Sequence, residues 1–397
     1  MTSVQEKQRE VWILSGETSG DMYGARLAEA LRKEAASRGE KMTVRGMGGG
    51  NMRAAGVDLR VDSTELGVIG VIEVLKHLPV FIRIFFQLRR DMVAARPDAV
   101  VVIDYPTFNL MMAKFLKKNG IPVIWYVSPQ VWVWHKSRIY TLAKVCSKMM
   151  VIFPFEVEIY TRNTSLATEF VGHPLLDIVE ERRDPAIQRD DRLIVLLPGS
   201  RTMEVTRLFE PMLETALQFY RKHPEFRFVT AVPREKIYRL SCEIFRKFQE
   251  KHPGEELPLK IVCGETAKYQ QQATAGIAAS GTVTVESAIA GLPLVVVYKL
   301  NYLTILMMAV VVKLFRGFFT MANIIANREV YQEYLQTKVC PEELVPALER
   351  IIPGGVRRPY VEEGMQIVRD ELKSQDKSAG ERAAEAVFSV IEPHTLS

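Results

Sequence analysis

Short apolar runs that alternate with longer amphipathic segments constrain the fold of this chain most strongly. Runs of this kind, rich in Val, Ile and Leu, are typical of parallel strands that helices cover on both faces. The alternating segments have the spacing of helices, and the first is predicted over residues 23–36. The sequence therefore predicts an α/β fold, with strands at Val11–Ser15, Thr43–Met47, Ala99–Asp104, Val123–Val127 and Met149–Phe153.

The pattern breaks at Phe170–Pro174 and then starts again. Nine of the 14 residues 179–192 are charged, which indicates a linker and a surface helix. A chain of 397 residues is too long for one ordinary core. We therefore predict two Rossmann-like, doubly wound domains facing a central cleft, residues 1–174 and 175–376. Strands of the second domain are predicted at Leu193–Leu197, Phe226–Ala231, Lys260–Cys263, Gly276–Ala279 and Pro293–Val297.

The composition limits the kinds of molecule that this chain is expected to bind. The net charge is +5, but the basic residues are scattered, so nucleic acid is not expected, whereas phosphate groups or an anionic membrane surface are. The four cysteines lie far apart, which argues against a metal site or disulfides and fits a reducing cytosol. The polar segment Met1–Glu10 does not have the pattern of a secretory signal.

Two motifs of the first domain follow predicted strands. Gly16, Glu17, Ser19, Gly20 and Asp21 form a turn before a helix, where glycines let a ligand approach the backbone and Glu17 favours sugar hydroxyls. The alternative is a tight turn with Ser19 or Asp21 as the helix N-cap.

Asp104 ends a buried strand, at the sheet edge where ligands of open α/β folds bind. It is the candidate general base, and Asn109 lies close behind it in sequence; a purely structural role for Asp104 is the alternative. Trp132 lies in a loop after the next strand and is predicted to form an apolar wall for a sugar or acyl chain, unless it merely packs under the loop.

The second domain carries two turns suited to phosphate. In Gly199-Ser200-Arg201, backbone N–H groups and a guanidinium can receive a diphosphate, although a plain capped helix start is the alternative. Small residues that open a helix, as in Ser280-Gly281-Thr282, also favour an anion, and Glu286 one turn later can accept ribose hydroxyls.

A mixed apolar and amide segment contains Asn323 and Arg328, where residues 328–333 are also compatible with a plain amphipathic helix. No Asp-x-Asp motif and no metal-ligand spacing occurs in the sequence, so neither a metal nor a cofactor is expected. A transferase without a metal would have to stabilise its leaving group with Arg201 and helix N-termini.

Two segments, 68–86 and 302–319, combine large apolar side chains with Lys and Arg. Neither has the length of uninterrupted apolar sequence that a membrane span needs. Buried helices can have this composition, but the basic residues beside aromatics favour helices that lie in a membrane interface.

Taken together, the segments 15–21, 104–109, 126–134, 197–201 and 280–286 resemble the lipid-A-disaccharide synthase family, in the same order along the chain. The resemblance extends from Val11 to about Pro341. It implies the GT-B fold, no metal, and transfer from UDP-2,3-diacylglucosamine to 2,3-diacylglucosamine 1-phosphate (lipid X) at the cytoplasmic face of the inner membrane. Tyr105 and Thr107 depart from the neighbours expected in the family, which puts the fit of the acceptor in doubt.

The resemblance also implies roles for single residues. Asp104 resembles the base, and Arg201 the group that stabilises the leaving diphosphate. The other donor-side residues are Gly199, Ser200, Ser280, Gly281, Thr282, Glu286, Asn323 and Arg328, and those of the acceptor side are Gly16, Glu17, Ser19, Gly20, Asp21, Asn109 and Trp132. GT-B chains return their last helix to the first domain, which is predicted for residues 377–393. Related proteins exchange C-terminal segments, so a homodimer is compatible with the resemblance.

Two other functions share these features. One is another GT-B enzyme that uses UDP-N-acetylglucosamine, such as a peptidoglycan-type transferase or a 2-epimerase, because fold alone does not determine chemistry. The other is a non-catalytic nucleotide-binding protein at the membrane surface, which would bind UDP without turnover.

Overall fold

A computed structural model describes residues 7–63, 71–131, 137–299, 317–374 and 376–392, with only the backbone for 71–78. The chain divides into two compact units. The N-terminal unit consists of Met1–Pro174 together with Leu372–Ser397, and the C-terminal unit of Leu175–Glu371.

The N-terminal unit is built on a seven-stranded parallel sheet with the order β3-β2-β1-β4-β5-β6-β7. Its strands are β1 (Lys7–Ser15), β2 (Glu40–Gly48), β3 (Asp58–Asp62), β4 (Ala99–Ile103), β5 (Val123–Tyr126), β6 (Lys148–Val151) and β7 (Thr168–Phe170). Its helices are α1 (Thr18–Ser37), α2 (Gly50–Ala54), α3 (Val71–Ala95), α4 (Pro106–Lys118), α5 (Arg138–Val145) and α6 (Pro154–Thr161), and α7 (Pro174–Glu181) leads into the next unit.

Helices cover both faces of this sheet, which explains why its central strands are apolar throughout. Along β1, Trp12 and Leu14 belong to a core cluster that also contains buried residues of α3, α4 and α5. Ile13 points to the other face, where it approaches Gly24 of α1. Strand alternation thus divides one sequence run between two hydrophobic layers.

The C-terminal unit repeats the architecture with six parallel strands in the order β10-β9-β8-β11-β12-β13. The strands are β8 (Asp190–Leu197), β9 (Arg227–Val232), β10 (Leu259–Cys263), β11 (Ala273–Ala279), β12 (Leu294–Tyr298) and β13 (Gln332–Leu335). The helices are α8 (Thr202–Lys222), α9 (Glu235–Lys251), α10 (Thr266–Gln272), α11 (Thr282–Ala290), α12 (Met321–Ala326), α13 (Pro341–Glu349) and α14 (Arg358–Leu372).

Both sheets have the strand order of doubly wound nucleotide-binding domains, so the predicted α/β fold class is confirmed. Three strands were missed, namely β3, β7 and β13, because they lack long apolar runs. Segment 328–333 does not form the alternative amphipathic helix, since it is a loop that leads into β13. None of the described helices is both long and apolar enough to cross a membrane.

The last helix, α15 (Ala379–Ile391), packs against α1 in the N-terminal unit. Just beyond it, the Glu392 carboxylate accepts a hydrogen bond of 2.7 Å from the guanidinium of Arg9, which is only 8% exposed. The same guanidinium pairs with Glu40 at 3.0 Å and Asp98 at 3.1 Å. Arg9 therefore connects β1, β2 and the C-terminal segment through one buried charge.

We predict that Arg9→Met lowers the free energy of unfolding by about 2–4 kcal/mol, because it leaves three carboxylates without their shared cation. Thermal or urea denaturation of the full chain measures this loss. Arg90→Met is the matched control, since Arg90 is exposed and, among the residues that the structure describes, pairs only with Asp91. Its effect should stay within about 0.5 kcal/mol. Equal losses in the two variants would contradict the role of the buried cluster.

Candidate active site

Each sheet has one place where the strand order reverses, and the predicted motifs lie there. In the N-terminal unit, β1 pairs with β4, with Ser15 opposite Ile103. The turn after Ser15 and the residues after Ile103 therefore meet at the carboxyl edge of the sheet. Open α/β folds bind ligands in this crevice, so the pairing brings Gly16 and Glu17 next to Asp104.

Two carboxylates face each other at this edge. Burial, and to a smaller extent the negative charge of Glu17, raise the pKa of Asp104 to about 6, while the backbone N–H of Tyr105 opposes the shift. Glu17 itself is exposed, directly before the start of α1. A carboxyl group with a pKa near neutrality, beside an exposed carboxylate, is suited to accept a proton from a bound hydroxyl.

The backbone around Asp104 is unusual. Asp104 and Tyr105 both have left-handed conformations, with φ of 45° and 49°. Such values are uncommon outside glycine, and for a bulky residue such as Tyr they indicate strain of about 1–3 kcal/mol. Gly16 is needed opposite, because a Cβ at this position would lie 2.6 Å from the Tyr105 ring.

The Asp21 carboxylate supports the fold of the same edge. Its buried carboxylate accepts hydrogen bonds from the backbone N–H groups of Gly49 (2.6 Å), Asn51 (2.9 Å) and Met52 (3.1 Å). The Asn51 side chain donates a further bond of 2.8 Å. Through these bonds, the Asp21 carboxylate holds the start of α2 in place. The structure thus gives Asp21 a supporting role, and its contact with an acceptor stays a prediction.

The turn also uses small residues. A Cβ at Gly20 would lie 2.5 Å from the Ser15 hydroxyl, so the helix start packs tightly against the strand end. Ser19 is half-buried in the first turn of α1. Both residues stay candidates for the acceptor side.

In the C-terminal unit, β8 pairs with β11, with Leu197 opposite Ala278. The turn Gly199–Arg201 therefore lies beside Ser280–Thr282 at the carboxyl edge of the second sheet. Gly199 has a φ of 112°, which favours glycine. A Cβ there would lie 2.5 Å from a carboxylate oxygen of Glu204.

Glu204 occupies the hydrogen-bond donors of this turn. Its Oε2 accepts bonds of 3.3 Å from the backbone N–H groups of Ser200 and Arg201. Its Oε1 lies 3.2 Å from the Arg201 guanidinium, which is otherwise 73% exposed. The arrangement shows that the turn and Arg201 together bind an anionic oxygen pair, which is the chemistry that a diphosphate presents.

The neighbouring turn is open. Gly281 and Thr282 are exposed at the start of α11, and the Thr284 hydroxyl donates a 2.8 Å hydrogen bond to the Gly281 carbonyl. Burial raises the pKa of Glu286 one turn later, and nearby Arg182 and a hydrogen bond from Gln270 oppose the shift. A carboxylate in this position can accept hydrogen bonds from a sugar diol.

Asn323 is not brought to this edge as a free ligand. It is fully buried, and its amide bonds the backbone of Tyr331 in both directions at 2.8 Å and donates to Glu333 at 2.9 Å. Glu333 in turn accepts the backbone N–H groups of Phe319 and Thr320 at the start of α12. The structure thus gives Asn323 a structural role, and its donor contact stays a prediction.

Arg328 lies at the opposite edge of the sheet. Its guanidinium stacks 3.9 Å from the Tyr360 ring centre in α14. That helix begins at Arg358, which donates a 3.1 Å bond to Thr274 in the second position of β11. Since β11 starts at this amino edge, Arg328 lies near the amino edge of the sheet and the Arg201 turn at its carboxyl edge. The donor role of Arg328 stays a prediction.

Some predictions fall outside the described residues. Trp132 is one of them, as is nearly all of segment 302–319. Within the described ranges, no group of three or more His, Cys, Asp and Glu side chains is arranged to hold a metal ion. Two features of the site were not predicted. They are the left-handed backbone of Tyr105 and the hydrogen bonds that Glu204 accepts from the Arg201 turn. Only the Arg-x-x-Glu spacing of a helix start signalled Glu204.

Comparison with known proteins gives one family. The sequence model of the family described as Lipid-A-disaccharide synthetase matches residues 11–387. The lipid-A-disaccharide synthase of Syntrophus aciditrophicus (strain SB) is 35% identical over 388 residues, covering 96% of this chain and 97% of that protein. That of Koribacter versatilis (strain Ellin345) is 36% identical over 392 residues, covering 96% and 99%.

Among solved structures, the UDP-GlcNAc 2-epimerase from Neisseria meningitidis bound to UDP-GlcNAc matches with a TM-score of 0.61. The match covers 96% of this chain and 99% of that one, at 10% sequence identity. At this identity the likeness concerns the fold alone. With the two doubly wound sheets, and with similar matches to solved glycosyltransferases, it identifies the fold as GT-B.

The pKa of Asp104 leads to a stability prediction. Because the folded state holds this proton more tightly than the unfolded state, stability falls as pH rises from about 4 to 6. Asp104→Asn, which tolerates the left-handed backbone, should therefore raise the free energy of unfolding at pH 7.5 by about 1–3 kcal/mol. The gain should vanish near pH 4, where the carboxyl group is already protonated.

Denaturation of the variant at both pH values measures this effect. Asp58→Asn is the control, because the Asp58 side chain is half exposed and pairs with Arg45 at the surface. A lower free energy of unfolding for Asp104→Asn than for the wild type at pH 7.5 would contradict the prediction. It would show that burial does not destabilise the ionised Asp104 carboxylate.

Proposed function

The chain belongs to the lipid-A-disaccharide synthase family of UDP-sugar glycosyltransferases, and from this we propose the reaction and the residues that perform it. The donor is UDP-2,3-diacylglucosamine and the acceptor is lipid X. The products are a β-1′,6-linked tetra-acyl disaccharide phosphate and UDP. The observation that carries the proposal is the Asp104 carboxyl group, with a pKa of about 6, at the ligand-binding edge beside Glu17.

On the acceptor side, Asp104 accepts the proton of the 6-hydroxyl of lipid X. The oxygen then forms a bond to C1 of the donor sugar as the bond from C1 to the UDP oxygen breaks, which inverts the configuration at C1. Glu17, together with the backbone of the Gly16 turn, binds sugar hydroxyls. The proton finishes on Asp104 and leaves to solvent after the product departs.

On the donor side, Arg201 and the N–H groups of Ser200 and Arg201 receive the negative charge that develops on the diphosphate. The Glu204 carboxylate has to release these donors when the diphosphate binds, because both compete for the same hydrogens. The start of α11 supplies further N–H groups at Ser280–Thr282, and Glu286 accepts the ribose hydroxyls.

The acyl chains of both substrates suggest work at a membrane surface, and α3 has the matching face. Val80, Ile82 and Phe86 are exposed on this helix, beside the exposed Arg83 and Arg90. Exposed apolar side chains next to guanidinium groups suit the interface of an anionic bilayer. We place α3 against the cytoplasmic face of the inner membrane.

The first test is UDP release from UDP-2,3-diacylglucosamine by the full chain in detergent and EDTA. Release that depends on lipid X supports the proposal and its independence of added metal. Asp104→Asn should lower kcat by about 10²–10⁴-fold, and Arg201→Ala by about 10²–10³-fold. Since only ionised Asp104 accepts a proton, the wild-type rate should fall below about pH 6.

Arg246→Ala is the control for Arg201→Ala, because both guanidinium groups are exposed and each forms an ion pair with a nearby glutamate. Full activity of both Asp104→Asn and Arg201→Ala would refute the mechanism.

The alternatives give different results in the same assay. A 2-epimerase would convert UDP-N-acetylglucosamine without a lipid acceptor, and a binding protein would hold UDP without turnover. The likeness to an epimerase at 10% identity does not favour the first alternative, because distant GT-B enzymes share their fold and not their chemistry.

For the membrane proposal, we expect the double variant Ile82→Glu, Phe86→Glu to lose most of its binding to vesicles that contain anionic lipid. These side chains are 48% and 57% exposed, so the change should leave the fold intact. Vesicle co-sedimentation measures the loss. Val356→Glu, at a position 85% exposed in the C-terminal unit, is the control. Equal binding of the double variant and the wild type would refute the assignment of α3.

A further inference from the structure

The turn that carries Asp104 needs a partner to hold it. Asp104 and Tyr105, with φ of 45° and 49°, are the only neighbouring non-glycine residues in the described part of the chain that both have left-handed backbones. An aspartate adopts this region with modest cost, but a tyrosine does so only when its surroundings impose it. The two residues form the turn that connects the end of β4 to the start of α4.

Asn109 supplies the restraint. Its Nδ2 donates hydrogen bonds to the carbonyl of Ile103 at 3.2 Å and to that of Asp104 at 2.7 Å. Its backbone N–H donates to the carbonyl of Tyr105 at 3.1 Å. Three successive carbonyls, from the end of β4 through the strained turn, are thereby attached to one residue in the first turns of α4.

The environment of Asn109 is inconsistent with direct contact to a substrate. The side chain is 0% exposed. Its Oδ1 is buried, and the described residues offer it no hydrogen-bond partner, so the two bonds to carbonyls are the side chain's whole polar function. An unpaired buried oxygen such as Oδ1 of Asn109 lowers the stability of the fold. If the two Nδ2 hydrogen bonds were not needed, an apolar residue at this position would therefore be more stable.

The turn is held from its other side as well. The Tyr105 ring packs where a Cβ of Gly16 would stand, so the backbone after β1 lies directly against the ring. The ring also contacts Phe108 of α4, with centres 5.8 Å apart. Packing fixes the Tyr105 side chain, and Asn109 fixes the backbone carbonyls, so the two restraints are complementary.

We propose that Asn109 is a positioning residue for the reaction, which acts by holding the Asp104 turn in its left-handed conformation rather than by binding the acceptor. This inference rests on the proposed role of Asp104 as the base. It replaces the acceptor contact expected from the sequence. A base displaced by about 1 Å loses much of its effect, since proton transfer depends on hydrogen-bond distance.

The test compares Asn109→Ala with Asn119→Ala in the full chain. Asn119 follows the same helix, and its Nδ2 also donates to a carbonyl, that of Phe115 at 2.8 Å, but it is exposed. We expect Asn109→Ala to lower kcat about 10–100-fold, with KM for lipid X and the Kd of UDP within twofold of wild type. Asn119→Ala should leave all three unchanged.

A double-mutant cycle with Asp104→Asn separates positioning from a general structural defect. If Asn109 acts through the base, Asn109→Ala should change the residual rate of Asp104→Asn by less than twofold. Should the alanine variant fold poorly by thermal denaturation, Asn109→Asp keeps the shape, replaces the donor with an oxygen, and enters the same cycle.

Three results would overturn the inference. A raised KM for lipid X with an unchanged kcat would restore direct acceptor binding, and additive losses in the cycle would show that Asn109 does not act through Asp104. Full activity of Asn109→Ala beside an inactive Asp104→Asn would refute the inference alone. Full activity of Asp104→Asn would instead refute the base, and the inference with it.

Discussion

Parallel pairing at the point where each strand order reverses is the constraint on which the rest of the structure depends. Because β1 pairs with β4, and β8 with β11, residues that lie far apart in sequence finish at the same sheet edge. Helices then leave the two strands on opposite faces and open a crevice between them. The Asp104 edge and the Arg201 edge are both consequences of this one arrangement, repeated in two units.

The polar groups at these edges are costly to the fold. Burial raises the pKa of Asp104, so the protein is less stable when this carboxyl group is ionised. The left-handed backbone of its turn lowers the stability of the fold further. At the other edge the Glu204 carboxylate satisfies the N–H groups of the Arg201 turn. The first sheet edge thus carries the poorly stabilised Asp104 carboxylate. The second carries hydrogen-bond donors of the Arg201 turn that already bind an anionic group.

Several residues predicted as ligands form hydrogen bonds that hold the backbone in place. Asp21 anchors α2, Asn323 joins α12 to β13, and Asn109 holds the Asp104 turn. Asp and Asn after a strand serve equally well as ligand contacts and as caps for unpaired N–H and carbonyl groups. The sequence shows the residue type and its place in the chain, but the partner that uses its hydrogen bonds comes from another element.

The sequence alone determined the fold class, because apolar runs and amphipathic spacing are local properties that persist in the folded state. The motifs also identified the family, which the comparisons confirm. The sequence did not predict β13, since Gln332–Leu335 has no apolar run and becomes a strand only by pairing with β12. Only the tertiary structure showed that Arg328 lies near the amino edge of its sheet and that Gly16 packs against the Tyr105 ring. It also showed which groups Glu204 binds. These contacts join residues whose separation in space depends on strand order, and strand order is not encoded in any single segment.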